Sequence, residues 1–224
     1  MKIVFLGTSY FSIACLKALL NSKHEVLAVV CQPDKPSGRG NKLTAPPIKT
    51  FAEENGLKVY QFNKIRLDGV ESLKSLKPDA LVVAAYGQIL SQEILDIALP
   101  INVHGSLLPK YRGASPIQTA LINGDAETGI TIMKMAFEVD SGDIILQEKL
   151  KIEPTDNAET LFEKMGVLGG KLLVKALDLI EEGKATFTPQ DNSQATFTKM
   201  LTKEGAEIDF NDTSENIVNK VRGY

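Results

Sequence analysis

Short apolar runs alternate with amphipathic segments along the first part of the chain. Lys2 to Leu6 is an apolar run of strand length, the spacing from Tyr10 to Leu20 predicts an amphipathic helix, and Val26 to Cys31 predicts a second strand. A strand, a helix and a strand in this order form a β-α-β unit, which connects right-handed into a parallel sheet. The opening of the chain therefore predicts an α/β fold.

The middle of the chain continues this alternation. Asp79 to Ala85 is an almost unbroken apolar run, which is typical of a central strand covered on both faces. Further strands are predicted at Lys58–Tyr60, Thr128–Met135 and Ile144–Lys149, and helices at Ile48–Asn55, Gly69–Leu76, Ala114–Ile122 and Asn157–Glu182. We predict a Rossmann-like, mostly parallel sheet flanked by helices. Gly7 alone stands at the first turn, without G-x-G-x-x-G, so a dinucleotide site is not supported.

The last quarter of the chain has a different pattern. Short strand-like pieces are predicted at Thr186–Thr188, Ala195–Phe197 and Glu207–Phe210, followed by a helix from Ser214 to Val221. We therefore predict a Rossmann-like core over residues 1–183 and a small β-rich extension with a terminal helix over residues 184–224.

Two polar residues at the end of a short strand are the first candidates for chemistry. Asn102 and His104 project from one face of this strand, because side chains alternate with period two, and Gly105 ends it. Histidine exchanges protons near neutral pH, and a carboxamide donates a hydrogen bond to an oxygen that becomes negative, so the pair suits acyl transfer. A lone histidine at a strand end is more often held by a backbone carbonyl.

A longer pattern around these residues changes that balance. Asn-x-His-Gly-Ser-Leu-Leu-Pro over residues 102–109, followed by Tyr-Arg-Gly, resembles the signature of the folate-dependent formyltransferases. Asp140-Ser-Gly-Asp-Ile resembles the Asp-x-Gly-Asp-Ile loop of that family, although an isolated aspartate there is more often a turn residue. The resemblance runs essentially from Lys2 to Tyr224. It implies formyl transfer with Asn102, His104 and Asp140 as the catalytic residues.

The resemblance also implies a formyl donor and its site. The donor is 10-formyltetrahydrofolate, and no metal is expected, since the two cysteines form no CxxC or Cys/His cluster. The backbone of the apolar run after His104 has no obvious strand partner and is free to contact a ligand. The residues expected to bind folate are Ser106, Leu107, Leu108 and Pro109, with Tyr86, Gly87 and Gln88 bordering the pterin.

A proline- and glycine-rich segment, Gln32 to Pro47, is predicted to be a long loop. It carries Lys35, Arg39 and Lys42, and by itself it would more often be a solvated loop. It resembles, however, the loop with which the methionyl-tRNA-specific members of the family enter the acceptor stem of the aminoacylated initiator tRNA. The net charge of -3 gives no global support for nucleic-acid binding, so this contact rests on the local basic cluster.

Other acceptors stay open at this point. The same chemistry on an amino-sugar nucleotide or glycinamide ribonucleotide, hydrolysis of the donor, and a non-catalytic binding module are the alternatives. The absence of a signal-peptide pattern and of any apolar run of about 18 residues favours a cytoplasmic protein without membrane segments. We expect a monomer, and the resemblance implies that a C-terminal domain found in the family is absent from this chain.

Overall fold

The computed structural model describes residues 1–37 and 42–224, so Arg39 lies outside the described residues. In chain order the strands are β1 Lys2–Gly7, β2 Glu25–Cys31, β3 Lys35–Ser37, β4 Lys42–Thr44, β5 Val59–Gln61, β6 Ala80–Ala84, β7 Leu99–His104, β8 Arg112–Gly113, β9 Glu127–Lys134, β10 Ile144–Lys151 and β11 Phe197–Thr198. The helices are α1 Tyr10–Leu20, α2 Pro47–Glu54, α3 Ile65–Asp68, α4 Val70–Ser75, α5 Gln92–Leu95, α6 Pro116–Ile122, α7 Ala158–Glu181 and α8 Ser214–Gly223.

A central sheet organises the described residues. Its seven strands in that part of the chain lie in the order β10-β9-β7-β6-β1-β2-β5. The strands from β7 to β5 are parallel, whereas β9 pairs antiparallel with β7 and β10 antiparallel with β9. The prediction of a mostly parallel α/β sheet flanked by helices is confirmed. The carboxyl ends of β1, β6 and β7 meet at one edge of the sheet, where open α/β folds bind ligands.

Both faces of the sheet are buried at its centre, as alternation along β1 shows. Ile3 and Phe5 enter the core on one side, and Val4 and Leu6 enter the core on the other. Helices α1 and α7 pack against each other on the first side. A side chain at Gly170 would place its Cβ 2.8 Å from the Cβ of Ala18, so this glycine lets the two helices approach closely.

Two local predictions are wrong. The expected loop over residues 32–47 contains a two-stranded antiparallel ribbon, β3 with β4, and α2 already begins at Pro47. The expected strand over residues 207–210 is not formed, and the side chain of Phe210 is 87% exposed, because the described part of the chain places no strand partner beside it. The helix expected over residues 69–76 is present as α4, with the short α3 directly before it.

Two negative findings apply to residues 1–37 and 42–224. None of the helices there combines the length and apolar character needed to cross a membrane. Nor do these residues bring together three or more His, Cys, Asp or Glu side chains in a way that could hold a metal ion.

Candidate active site

The structure brings Asn102, His104 and Asp140 together at the carboxyl edge of the sheet. Asn102 and His104 lie on β7, and Asp140 lies in the loop between β9 and β10. The Nδ2 atom of Asn102 donates to Asp140 Oδ1 at 3.2 Å, and Nδ1 of His104 lies 3.6 Å from Asp140 Oδ2. β9 pairs antiparallel with β7 and ends with Lys134 opposite Ile101, so the loop that follows β9 begins beside the strand that carries Asn102 and His104. One carboxylate therefore faces both β7 side chains.

The orientation of the His104 ring is set by its other nitrogen. Nε2 lies 2.9 Å from the carbonyl oxygen of Tyr111, which can only accept, so Nε2 carries a proton. Nδ1 is then the nitrogen that faces Asp140. The ring is almost fully buried, with 6% of the side chain exposed, so its orientation is fixed by packing as well as by this bond.

The Tyr111 backbone that holds the ring is itself anchored. Tyr111 has φ +65°, an unusual value for a residue with a side chain. Its hydroxyl donates to Asp125 Oδ2 at 2.8 Å and accepts from Asn123 Nδ2 at 2.8 Å. Lys110 pairs with the same Asp125 carboxylate at 2.8 Å. These contacts stabilise the left-handed turn that aims the carbonyl at His104.

Asp140 is held by more than its two side-chain partners. The backbone N–H of Gly113 donates to Asp140 Oδ2 at 2.8 Å. Asp140 has φ +49°, and Gly142 lies so close to β9 that a Cβ there would collide with the carbonyl oxygen of Lys134. The loop is thus tightly seated. Its carboxylate can orient His104 and receive a proton, while the carboxamide of Asn102 provides a donor for a developing negative oxygen.

A cleft of about 420 Å³ opens beside these three residues. Its wall includes Phe11 of α1 and Phe162 of α7, which give it an apolar side, and the backbone of Gly105 and Gly113. A Cβ at Gly105 would lie 2.8 Å from Ile117, so the glycine after His104 allows α6 to pack close to the end of β7, where it forms one wall of the cleft. The volume and the mixed polar and apolar lining are those of a small-molecule site.

The structure separates the three residues expected to border the pterin. Tyr86 and Gly87 line the cleft, and Gly87 has φ +86°, which favours glycine. Gln88 instead faces away, donating to the Phe62 carbonyl at 2.8 Å and accepting from the Ile65 N–H at 2.9 Å. Burial raises the pKa of the Tyr86 hydroxyl, so this group stays neutral.

Ser106 to Pro109 do not line the cleft, and the expectation that their backbone is free is wrong. The Leu108 N–H donates to Thr131 Oγ1 at 3.1 Å, and the same hydroxyl donates to the Ser106 carbonyl at 2.6 Å. The Leu108 carbonyl accepts from Gln147 Nε2 at 2.8 Å. Side chains of β9 and β10 therefore satisfy this backbone, a solution that strand periodicity does not reveal.

The basic residues expected to contact tRNA lie on the β3–β4 ribbon as far as the structure describes them. Lys35 and Lys42 are exposed. The carboxylate of Asp34, just before β3, accepts hydrogen bonds from Lys49 Nζ at 2.9 and 3.0 Å and from Gln61 Nε2 at 2.7 Å. The hydrogen bonds from Gln61 and Lys49 hold the pKa of Asp34 below its usual value. The base of the ribbon is thus tied to α2 and β5.

Sequence reasoning missed several contributors to the site. The Tyr111 carbonyl and the Gly113 N–H act through the backbone, which a side-chain pattern does not indicate. Gln190 donates to the carbonyl oxygens of Asp140 at 2.8 Å and Gly142 at 2.7 Å, although it lies 50 residues from Asp140 in the chain. The Tyr-Arg-Gly part of the motif was the available signal for the first two. Gln190 had none.

Fold and cluster together describe an α/β enzyme of group transfer, and comparison with known proteins defines it further. Residues 1–177 match the formyl transferase family. The chain is 47% identical to the methionyl-tRNA formyltransferase of Kosmotoga olearia over 228 residues, covering all of this chain and 73% of that protein. It is 45% identical to the methionyl-tRNA formyltransferase of Ruminiclostridium cellulolyticum over 226 residues, covering all of this chain and 72% of that protein.

Among solved structures, an N-formyltransferase from Helicobacter canadensis in complex with folinic acid and dTDP-3-aminofucose superposes with a TM-score of 0.75. It is 22% identical, and the alignment covers all of this chain and 80% of that one, so this likeness shows the fold. The chain belongs to the formyl transferase family. It is a transferase of formyl groups.

Proposed function

We propose that this chain transfers the formyl group of 10-formyltetrahydrofolate to the α-amino group of methionyl-tRNA, the aminoacylated initiator tRNA of translation. The observation that carries the proposal is the convergence of Asn102, His104 and Asp140 on one wall of the 420 Å³ cleft. The acceptor is supported by the identity of 45–47% to proteins named methionyl-tRNA formyltransferase. A folate donor is supported by the family match.

The geometry accounts for the chemical steps. The amine forms a C–N bond to the formyl carbon, and the carbonyl electrons move to its oxygen, which becomes negative. Asn102 Nδ2 and the protonated Nδ1 of His104 stabilise this oxygen. The carbonyl then re-forms as the bond from the carbon to N10 breaks. The amine loses one proton and N10 gains one, and Asp140 assists this movement directly or through a water.

The donor site extends from the cluster along the cleft. Tyr86 and Gly87 border the pterin, since their segment forms part of the cleft wall beside β7. Gln88 holds that segment from behind, through its bonds to the backbone of residues 62 and 65. Ser106 to Pro109 contribute by fixing the end of β7, because their backbone groups are bonded to Thr131 and Gln147.

The β3–β4 ribbon is the part of the chain that contacts the acceptor, the aminoacylated tRNA. The exposed Lys35 and Lys42 provide positive charge there, and Arg39, outside the described residues, adds a third. Lysine and arginine contacts to phosphates set affinity and position without reading sequence. An extended ribbon anchored through Asp34 can therefore present these charges to an acceptor stem.

An amino-sugar nucleotide is the second candidate acceptor, since the Helicobacter canadensis enzyme was solved with dTDP-3-aminofucose. The protein should be incubated with 10-formyltetrahydrofolate and methionyl-tRNA, amino-sugar nucleotide, glycinamide ribonucleotide or water alone. We expect formylmethionyl-tRNA as the main product, abolished in His104→Ala. Faster formylation of a small amine than of methionyl-tRNA would contradict the proposed acceptor, and donor hydrolysis alone would contradict the transfer.

A further inference from the structure

The segment Thr188–Thr198, called the strap below, crosses the outside of the active site and lies beyond residues 1–177 matched by the family. At its start, Thr188 exchanges two backbone hydrogen bonds with Ile144, at 2.8 and 2.9 Å. At its end, β11 pairs in parallel with β8. One end is therefore bonded to the strand that follows Asp140, and the other to the segment that follows His104.

Gln190 of the strap joins these two halves through its side chain. Its Nε2 donates to the carbonyl oxygens of Asp140 at 2.8 Å and Gly142 at 2.7 Å. Its Oε1 accepts from Arg112 Nε at 3.0 Å and Nη2 at 2.7 Å. The amide orientation is unambiguous, because carbonyls only accept and a guanidinium only donates. Every hydrogen-bonding group of the Gln190 side chain is thus used inside the site.

We propose that Gln190 is a positioning residue for formyl transfer, which holds the Asp140 loop so that the carboxylate meets Asn102 and His104. This inference rests on the proposed function and extends it to a part of the chain outside the family match. Asp140 has a left-handed backbone, with φ +49°, a conformation that residues with a side chain adopt mainly where other contacts hold it. The two hydrogen bonds from Gln190 act on that backbone directly.

The distances in the site explain why this support matters. Asp140 Oδ2 lies 3.6 Å from His104 Nδ1, near the outer limit of an ion pair, and Oδ1 lies 3.2 Å from Asn102. A small rotation of the loop breaks both interactions. A misplacement of about 1 Å in a catalytic group can lower the rate by about 10²-fold.

The strap supports the His104 side of the site as well. Thr196 Oγ1 accepts from the Tyr111 N–H at 2.8 Å, and the Thr196 carbonyl accepts from the Arg112 N–H at 2.8 Å. Tyr111 is the residue whose carbonyl fixes the His104 ring. A Cβ at Gly113 would lie 2.6 Å from the Thr198 carbonyl, so this glycine allows the strap to approach closely. The strap therefore contacts the supports of both His104 and Asp140.

Gln190→Glu tests the proposal, because it preserves size and the acceptor for Arg112 but replaces the donor to the two carbonyls by an acceptor. The matched control is Asn192→Asp, the same change at the other amide that accepts from Arg112 Nη2, at 2.7 Å. Asn192 is exposed and, within the described part of the chain, its side chain makes no hydrogen bond to the Asp140 loop. The rate should be divided by the concentration of folate-binding sites and not of total protein, so that unfolded molecules do not lower the kcat obtained.

We expect kcat of Gln190→Glu to fall about 10- to 100-fold, with KM for donor and tRNA within about 2-fold of the parent and Asn192→Asp near the parent in both. Equal losses in the two variants, or a kcat of Gln190→Glu within about 2-fold of the parent, would overturn the positioning role. If the parent formylates another amine instead of methionyl-tRNA, the proposed function fails, and the same comparison is made with that amine.

Discussion

The Nε2 atom of His104 lies 2.9 Å from the carbonyl oxygen of Tyr111, while Nδ1 of the same ring faces Asp140. A backbone carbonyl accepts and never donates, so the ring cannot exchange the roles of its nitrogens. Any proton that the His104 ring exchanges in this site is therefore exchanged at Nδ1. The same bond is the ordinary explanation for a histidine at a strand end. It uses only one ring nitrogen, so the other still faces Asp140.

Replacing Asn102, His104 or Asp140 by Ala is expected to lower kcat by about 10²- to 10⁴-fold in each case, because each variant removes an oxyanion donor or a proton-transfer group. Steady-state kinetics with 10-formyltetrahydrofolate and methionyl-tRNA measures the effect, and circular dichroism confirms the fold. Ser141→Ala is the control in the same loop, since its hydroxyl bonds only the Glu138 carbonyl in the described structure. Near-normal turnover of His104→Ala would refute the assignment.

Tyr111→Phe is expected to destabilise the protein by about 1 kcal/mol, because the hydroxyl exchanges hydrogen bonds with Asp125 and Asn123. A loosened left-handed turn at residue 111 also loosens the carbonyl that orients His104, so kcat should fall several-fold while donor affinity stays constant. Urea unfolding and steady-state kinetics test the two effects. Tyr60→Phe on β5 is the matched control. Unchanged kcat in a measurably destabilised Tyr111→Phe would show that the anchor serves stability alone.

The sequence predicts the sheet well and the supports of the site poorly, for physical reasons. Apolar runs such as residues 79–85 are stable in water only when they are buried, here as a central strand of the sheet. The alternation of side chains along a strand places Asn102 and His104 on one face. Asp140 was identified through a motif, because a turn aspartate has no periodicity. Gln190 acts through an interaction between distant parts of the chain, which leaves no local pattern. Tyr111 and Gly113 act through backbone atoms, for which the Tyr-Arg-Gly motif was the available signal.

Two of the wrong expectations have the same origin. The backbone of residues 106–108 looked unpaired because strand pairing was the only partner considered, whereas Thr131 and Gln147 satisfy it with side chains. The β3–β4 ribbon was interpreted as a loop because its strands have three residues each, too few to show alternation. Short strands and side-chain partners both depend on tertiary structure.

Asp156→Asn is expected to lower stability at neutral pH by about 1.5–3 kcal/mol. Burial by itself raises the pKa of Asp156, but hydrogen bonds from Lys164 at 2.7 Å, the Glu153 N–H at 2.9 Å and Thr160 at 3.0 Å outweigh it, and the net pKa is lowered. A lowered folded-state pKa stabilises the fold above the unfolded-state value, roughly 4, and this contribution disappears as pH falls through the folded-state pKa.

Urea unfolding across the pH range tests this prediction. The difference between parent and Asp156→Asn should be largest at pH 7, shrink below about pH 4, where the carboxylate becomes protonated in the unfolded chain, and disappear below the folded-state pKa. Asp96→Asn is the control, an exposed aspartate that accepts from Gln92 at 2.7 Å, and it should change stability by no more than about 0.5 kcal/mol. A difference that is independent of pH would show that the charge of Asp156 is not the source of its stabilisation.

The last prediction concerns the acceptor and the β3–β4 ribbon. Lys35→Met combined with Lys42→Met removes two exposed positive charges, so we expect weaker tRNA binding and unchanged folate binding. For each lysine that neutralises a phosphate, its removal should also lower the slope of log affinity against log salt by about 1. Arg39→Ala, at a position outside the described residues, should act in the same direction, with a larger effect on tRNA than on folate.

A second double variant separates this local effect from a general loss of positive charge. Lys74→Met with Lys149→Met removes two lysines that already pair with carboxylates, Lys74 with Glu71 and Glu93 and Lys149 with Glu127. Because the net charge changes equally in both double variants, any difference between them belongs to the ribbon. Filter binding of tRNA from low to moderate salt and folate titration provide the comparison. Equal salt slopes for the two double variants would exclude the ribbon from tRNA binding and reopen the identity of the acceptor.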